Sequence, residues 1–300
     1  MRQYLEDFVS RKYAAVCEEL EAHAAKGREL CYLQGTSFAD GSDPDYSRRL
    51  LRNVYLLRYG VAYFTEYYRV YQEIFSRFHN NCGQYALFSV GSGAHLDKTA
   101  AALALWEWQP SAHLTYIGLD RVNWADDVEQ SITPNCSVEE LTELPSQINC
   151  NILAFPKSIS ELDSVFLWDM ASRVTSEQIL LVFSLRKGDA PSFGDCRKIN
   201  DVLRCFLERD YGINQASRVA LGGETIFQNL GYNPYFGQNE AFEIVAHLGK
   251  RCCERLTCEK ECGEGLGKYP MTKPKYFWDC YYLLEKIDAA PATANPYCRR

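Results

Sequence analysis

The residues with the most chemical content form one short run, Val90-Gly91-Ser92-Gly93-Ala94-His95-Leu96-Asp97. The apolar segment Tyr85–Val90 leads into it with strand character, and the Ala/Leu-rich segment Lys98–Trp108 follows with helical character. A strand that ends in Gly-x-Gly and turns into a helix lets a ligand approach the backbone closely. It also leaves N–H donors at the start of the helix. The next apolar run, Leu114–Leu119, ends in Asp120, an acid placed to accept two hydrogen bonds from a ribose diol. Loop and acid together point to a cofactor with a nucleoside half. Leu96 stands where a dinucleotide fingerprint needs its third glycine, which counts against NAD and FAD. There is no Gly-x4-Gly-Lys-Ser/Thr loop, so ordinary P-loop nucleotide chemistry is set aside as well.

Other residues carry weaker signals. Lys157 follows the strand candidate Ile152–Phe155 and Pro156, and is either a charge facing a reacting group or a solvated loop lysine. His95, inside the glycine turn, is either a ligand contact or a histidine at a helix start. Cys253, Cys258 and Cys262, with Cys252 beside them, are spaced to offer soft thiolates to Zn²⁺, with His247 or Cys280 to complete a tetrahedron. The spacing is not a standard Cys-x2-Cys pair, and reduced thiols in a loop explain it equally. Bases outnumber acids around this cluster, which makes it the candidate for a polyanion contact. Tyr55, Tyr59, Tyr63, Tyr67 and Tyr71 recur every fourth residue beside several arginines. Such a stripe either stacks on bases or packs against a neighbouring layer with its hydroxyls at the rim.

These residues need elements to hold them. Residues 2–26 place Leu5, Phe8, Val9, Ala15, Val16 and Leu20 at helical spacing. After a polar break, Asp43-Pro44 opens a second helix, as N-cap and first-turn proline, that runs to about Phe78. From Gly83 onward short apolar runs alternate with helical stretches. Ile179–Leu185 reads as a buried strand, Asp195–Arg209 as a helix, and Arg121–Gln130 as a short helix. Phe242–Leu248 and Phe277–Ile287 read as two late strands. This order predicts βαβ units and a mostly parallel sheet. The division expected is a helical cap over residues 1–80 and an α/β domain over 81–300, with a Cys-rich insertion at about 249–275.

Composition sets limits on function. The chain has 300 residues, 47% of them in the apolar set, enough for a sizeable core. Its 39 acids against 32 bases give a net charge of −7, which argues against a strongly cationic nucleic-acid binder. No apolar run is long enough for a membrane helix, and the first residues carry charges where a secretory leader has its apolar core. The thirteen cysteines then read as thiols or metal ligands in a cytoplasmic protein, with no role at a membrane.

Val90-Gly91-Ser92-Gly93 with Asp97, then Ile117-Gly118-Leu119-Asp120, resembles motif I and the acid after the second strand in class I S-adenosylmethionine-dependent methyltransferases. The two late strands are similar to the antiparallel hairpin that closes that fold. The resemblance implies a Rossmann-like, mostly parallel seven-stranded sheet with an antiparallel last strand, preceded by the helical region. It implies S-adenosylmethionine as cofactor, with Gly91 and Gly93 on its methionine side and Ser92 and Asp97 also among the cofactor-binding residues. Asp120 would then hold the ribose hydroxyls, Val122 or Trp124 would lie near the adenine, and Phe155 and Lys157 would face the transferred methyl.

Familiar acceptor signatures depart from pattern. Phe155-Pro156-Lys157 replaces the Asp/Asn-Pro-Pro-Tyr/Phe motif of amino-methylating enzymes. Asn233-Pro234-Tyr235-Phe236 follows no clear strand, and Asp189-Ala190-Pro191-Ser192 has serine where RNA cytosine methylases have cysteine. The acceptor, whether RNA, protein or small molecule, stays open, as does the oligomeric state. Two readings stand beside this one: a non-catalytic subunit that keeps the cofactor pocket, and a nicotinamide-dependent oxidoreductase.

Overall fold

The structure is a computed structural model, and it describes residues 2–25, 45–78, 83–124, 135–185, 193–219 and 278–287. They form two compact units. One holds α1 (Arg2–Ala25) and the first part of α2 (Arg49–Arg77) up to Tyr63; the other begins at Phe64 and contains everything else described.

In the first unit α1 buries Leu5, Phe8, Val9 and Val16, three of which repeat at about a helical turn. Polar contacts join α1 to α2: Asn53 Nδ2 donates to Glu19 Oε1 at 3.2 Å and Arg49 lies 3.6 Å from the same carboxylate. The first three tyrosines of the expected stripe form a ladder of rings. Tyr55 and Tyr59 are 5.3 Å apart, Tyr59 and Tyr63 stack at 5.6 Å, and the Arg58 guanidinium lies 4.9 Å from the Tyr59 centroid. The proposed cap of α2, Asp43 with Pro44, lies outside the described residues.

The second unit is built on a seven-stranded sheet of β1 (Gln84–Val90), β2 (His113–Leu119), β3 (Cys136–Leu141), β4 (Ile152–Pro156), β5 (Gln178–Leu185), β6 (Tyr211–Val219) and β7 (Trp278–Lys286). Their order is β3-β2-β1-β4-β5-β7-β6. The first five pair in parallel, and β7 runs antiparallel to both β5 and β6. The expected mostly parallel sheet with an antiparallel last strand is therefore the observed one. α3 (Leu96–Trp108) follows β1, α4 (Ser164–Arg173) follows a 3₁₀ turn (Ile159–Glu161), and α5 (Phe193–Leu207) precedes β6.

Alternation along the strands gives the sheet two faces. Ala86, Phe88, Val90, Leu153, Phe155, Leu181 and Phe183 pack with Leu167, Met170, Ile199, Val202, Leu203 and Phe206 of α4 and α5 in one apolar core. The spacing of Ile199, Val202, Leu203 and Phe206 is what makes α5 amphipathic. The opposite face meets the second half of α2 through Phe75–Tyr85 at 5.1 Å, the residue just beyond it through Phe78–Tyr281 at 5.6 Å, and α3 through the Tyr116 hydroxyl on Asp97 at 2.9 Å.

Three expectations need correction. The strand that pairs with β7 on its outer side, and so closes the sheet, is Tyr211–Val219; the expected strand Phe242–Leu248 lies outside the described residues. Arg121–Trp124 is not helical; its turn is set by Asp120, whose carboxylate takes the Val122 N–H. β3 and α4 went unforeseen. β3 is a sheet edge whose Ser137, Val138, Glu139 and Glu140 are exposed, so it lacks an apolar run.

Candidate cofactor groove

Strand order reverses between β1 and β4, and in open α/β sheets the crevice outside the carboxyl ends at such a point receives ligands. Gly91 and Gly93 leave β1 there at φ 71° and 50°, in the left-handed region that glycine enters without strain. Gly91 has a second reason to be glycine: a Cβ on it would sit 2.4 Å from Ser158 Cβ. The turn folds back over β2, with Gly91 N–H and Ser92 N–H donating to the Leu119 carbonyl at 2.7 and 3.2 Å.

Asp120, directly after β2, fastens this turn from the other side. Its Oδ2 accepts the Gly93 N–H at 2.8 Å and its Oδ1 the Val122 N–H at 2.8 Å. A carboxylate oxygen has two lone pairs. Each oxygen of the half-buried Asp120 therefore keeps one for a further donor, and a vicinal diol offers two. On that count the residues fit a ribose. The Trp124 ring borders Gly93, its nearest carbons 3.9 and 4.0 Å from where a Cβ would stand.

Beneath the turn, polar side chains replace core. Asp97, in the first turn of α3, is 1% exposed and takes the Ser89 hydroxyl at 2.6 Å and the Tyr116 hydroxyl at 2.9 Å. Burial pushes its carboxyl up to about 6, against the hydrogen bonds that hold it down. His95 fits over Gly118, where a Cβ would come within 2.7 Å of its Nε2 and 2.9 Å of Ser92 Oγ. Burial, with Lys98 beside it, lowers the His95 imidazole to about 4, so it is neutral at pH 7.

The turn after β4 carries Lys157, at φ 61°, and Ser158. The Lys157 amine donates to the Glu66 carboxylate of α2 and, at 2.8 Å, to the Leu185 carbonyl at the end of β5. Ser158 Oγ donates to the Val90 carbonyl. Burial, and next the charge of Asp279 on β7, raise the Glu66 carboxyl well above the usual range, with Lys157 acting against them. Burial likewise raises Asp279, which is 0% exposed.

Gly91, Ser92, Gly93, Asp120 and Val122 thus converge on one place, with Asp97 immediately under it. The Phe155 side chain turns to the other face and stacks on Phe183 at 5.0 Å. Cys253, Cys258 and Cys262 lie outside the described residues, and among the described residues no three His, Cys, Asp or Glu side chains are grouped for a metal. No described helix is long and apolar enough to cross a membrane. Sequence reasoning missed Ser158, Asp279 and Glu66. For Glu66 a signal existed: it is the lone acid in the stretch Val61–Tyr68 of an otherwise apolar helix face.

No protein-family model matches the chain. No curated protein matches it either. Among solved structures it is similar to a mitomycin 7-O-methyltransferase, at 13% identity and TM-score 0.37, over 69% of this chain. The match spans 64% of that enzyme's own length. It is also similar to the magnesium protoporphyrin IX methyltransferase of Synechocystis PCC 6803, at 9% identity and TM-score 0.38, over 83% of this chain and 90% of that one. A third is the cyclase SpnF, at 10% identity and TM-score 0.39, over 73% and 81%. At these scores the likenesses bear on neither activity nor substrate. Strand order and the single antiparallel strand give the chain a Rossmann-like fold with an antiparallel last strand.

Proposed function

We propose that this chain binds S-adenosylmethionine in the groove between β1 and β2 and is a methyltransferase. The observation that carries the reading is the Asp120 carboxylate, tied by Gly93 N–H to the glycine turn and left with one acceptor lone pair on each oxygen. Asp120 would accept the two ribose hydroxyls. Gly91 and Gly93, without side chains, would let the methionine half lie against the backbone, and Val122 and Trp124 would border the adenine. When bound, the cofactor supplies an electrophilic methyl on a sulfonium, which an acceptor lone pair takes by in-line displacement. That chemistry depends on alignment more than on a covalent enzyme group, so a rigid cradle is the contribution asked of the protein.

Calorimetric titration with S-adenosylhomocysteine, with NAD as the control, tests the reading. Binding of the homocysteine compound alone is expected. Hydrogen bonds to a charged group are worth about 1.5–3 kcal/mol each, so losing two in Asp120→Ala should weaken binding at least about a hundredfold while thermal unfolding stays cooperative. Unchanged affinity in that variant, or binding of NAD in its place, would overturn the assignment.

A further inference from the structure

Lys157 combines three features that a surface lysine lacks: a left-handed backbone, a side chain 2% exposed, and an amine held by a carboxylate whose own side chain is 0% exposed. The backbone of the same residue is fixed as well, since its N–H donates to the Ser184 carbonyl at 3.0 Å. The next residue reaches across to β1. Ser158 Oγ bonds to the Val90 carbonyl, one residue before Gly91, and Ser158 Cβ occupies the space that a side chain at Gly91 would need. A continuous path therefore runs from Glu66 through Lys157 and Ser158 to Gly91, whose N–H and that of Ser92 close on Leu119.

We propose that the Glu66–Lys157 pair is a latch that positions the glycine turn. By locking the turn after β4 it presses Ser158 against Val90 and Gly91, and it holds the floor of the cofactor groove in its binding shape. Lys157 and Glu66 are then positioning residues that act through Ser158, not groups that touch a reacting atom. The consequence for affinity rests on the cofactor reading above; the geometry of the latch does not.

The second feature of the path is its cost to the fold. A buried ammonium and two buried carboxyls, Glu66 and Asp279, are an expensive way to fill space, and apolar residues of similar volume do it as well or better. What apolar residues would not supply is direction: a charge-assisted bond and a lysine donating to one carbonyl fix the turn in one arrangement.

Amide hydrogen exchange on the unliganded chain tests the latch without any cofactor. Ser158→Ala keeps the ion pair and removes only the hydroxyl link, and Lys157→Met removes the pair. The amides of Gly91 and Ser92 are expected to exchange at least tenfold faster in both variants, and in Ser158→Ala those in the middle of β5 keep their wild-type rates. Affinity for S-adenosylhomocysteine should fall about tenfold in parallel, and the double variant should be no weaker than Lys157→Met. If Lys157→Met does not fold, Glu66→Leu removes the acceptor and breaks the same link. Wild-type exchange at Gly91 and Ser92 in Ser158→Ala overturns the latch, even where the wild-type chain binds the ligand. Faster exchange in a chain that never binds it keeps the latch and removes the cofactor reading.

Discussion

Toward α4 and α5 the sheet presents Phe88, Val90, Leu153, Phe155, Leu181 and Phe183, and each meets apolar side chains. Toward α2 and α3, positions in the carboxyl halves of β1, β2 and β5 are Ser89, Tyr116, Gly118 and Ser184, with Asp279 of β7 opposite Ser184. Facing them are Asp97, Lys157 and Glu66, all buried. At the carboxyl ends, then, one face is held by volume and the other by complementary polar groups. The difference follows from what lies above each. The polar face stands under the glycine turn, where hydrogen bonds can fix backbone direction to a few tenths of an ångström. The apolar face only has to exclude water.

Two substitutions of similar size should break the faces in different ways. Leu181→Ala removes buried methyl groups and leaves a cavity, a loss of about 2–5 kcal/mol that does not vary with pH. Lys157→Met keeps the volume but strands two buried carboxyls, a loss of about 3–5 kcal/mol at pH 8. Without the ammonium, Glu66 and Asp279 take up protons more readily, so the variant should regain stability as the pH falls toward 5. Denaturant unfolding at both pH values checks this, and equal pH slopes for the two variants would erase the distinction.

A smaller effect isolates Asp97. Its carboxyl is raised in the folded chain from 3.8 to about 6, so the folded state holds a proton that the unfolded state has released between those values. Stability therefore falls as pH rises through that window, by up to roughly 3 kcal/mol, and its contribution is complete below pH 3.8. Lys98, His95, Tyr71 and Tyr116 surround the group, and Glu66 and Asp279 titrate in the same direction. Asp97→Asn keeps the shape and removes only the Asp97 part of that slope. Unfolding free energies at half-unit steps from pH 4 to pH 7 would show it; a slope identical to wild type would place the titration elsewhere.

The same contrast explains what the sequence made legible. β1, β2, β4, β5 and β7 are apolar enough to read as strands, because in a mostly parallel sheet both faces are covered. β3 and β6 are the two edges. β6 carries Gly212, Asn214 and Gln215, only its end residues Tyr211 and Val219 are buried, and its register shifts between Ile213 and Gln215. Only backbone pairing with β7 makes it a strand, and backbone pairing leaves no trace in side-chain pattern. Gly93 and Asp120, 27 residues apart, meet because a single β1-α3-β2 unit brings them together, and that alternation is readable in sequence. Glu66 and Lys157 are 91 residues apart, so no spacing rule could join them. For Phe155 the strand was legible but not the face, since a continuous apolar run has no alternation to read.

The finest test concerns one hydroxyl. Ser89 Oγ gives Asp97 its shorter hydrogen bond, 2.6 Å, inside the protein. Ser89→Ala opens little space, so on the logic of the apolar face it should cost almost nothing. On the logic of the polar face it leaves a buried carboxylate oxygen short of a donor, and about 1–2 kcal/mol should be lost. That bond also helps hold the Asp97 carboxyl down, so its loss should move the titration higher and make the deficit larger above pH 6. A double-mutant cycle separates the two accounts. With Asp97→Asn already in place the carboxylate is gone, and Ser89→Ala should then cost less than about 0.5 kcal/mol. An equal cost in both backgrounds would mean that Ser89 only fills space, and that the two faces of the sheet obey one rule.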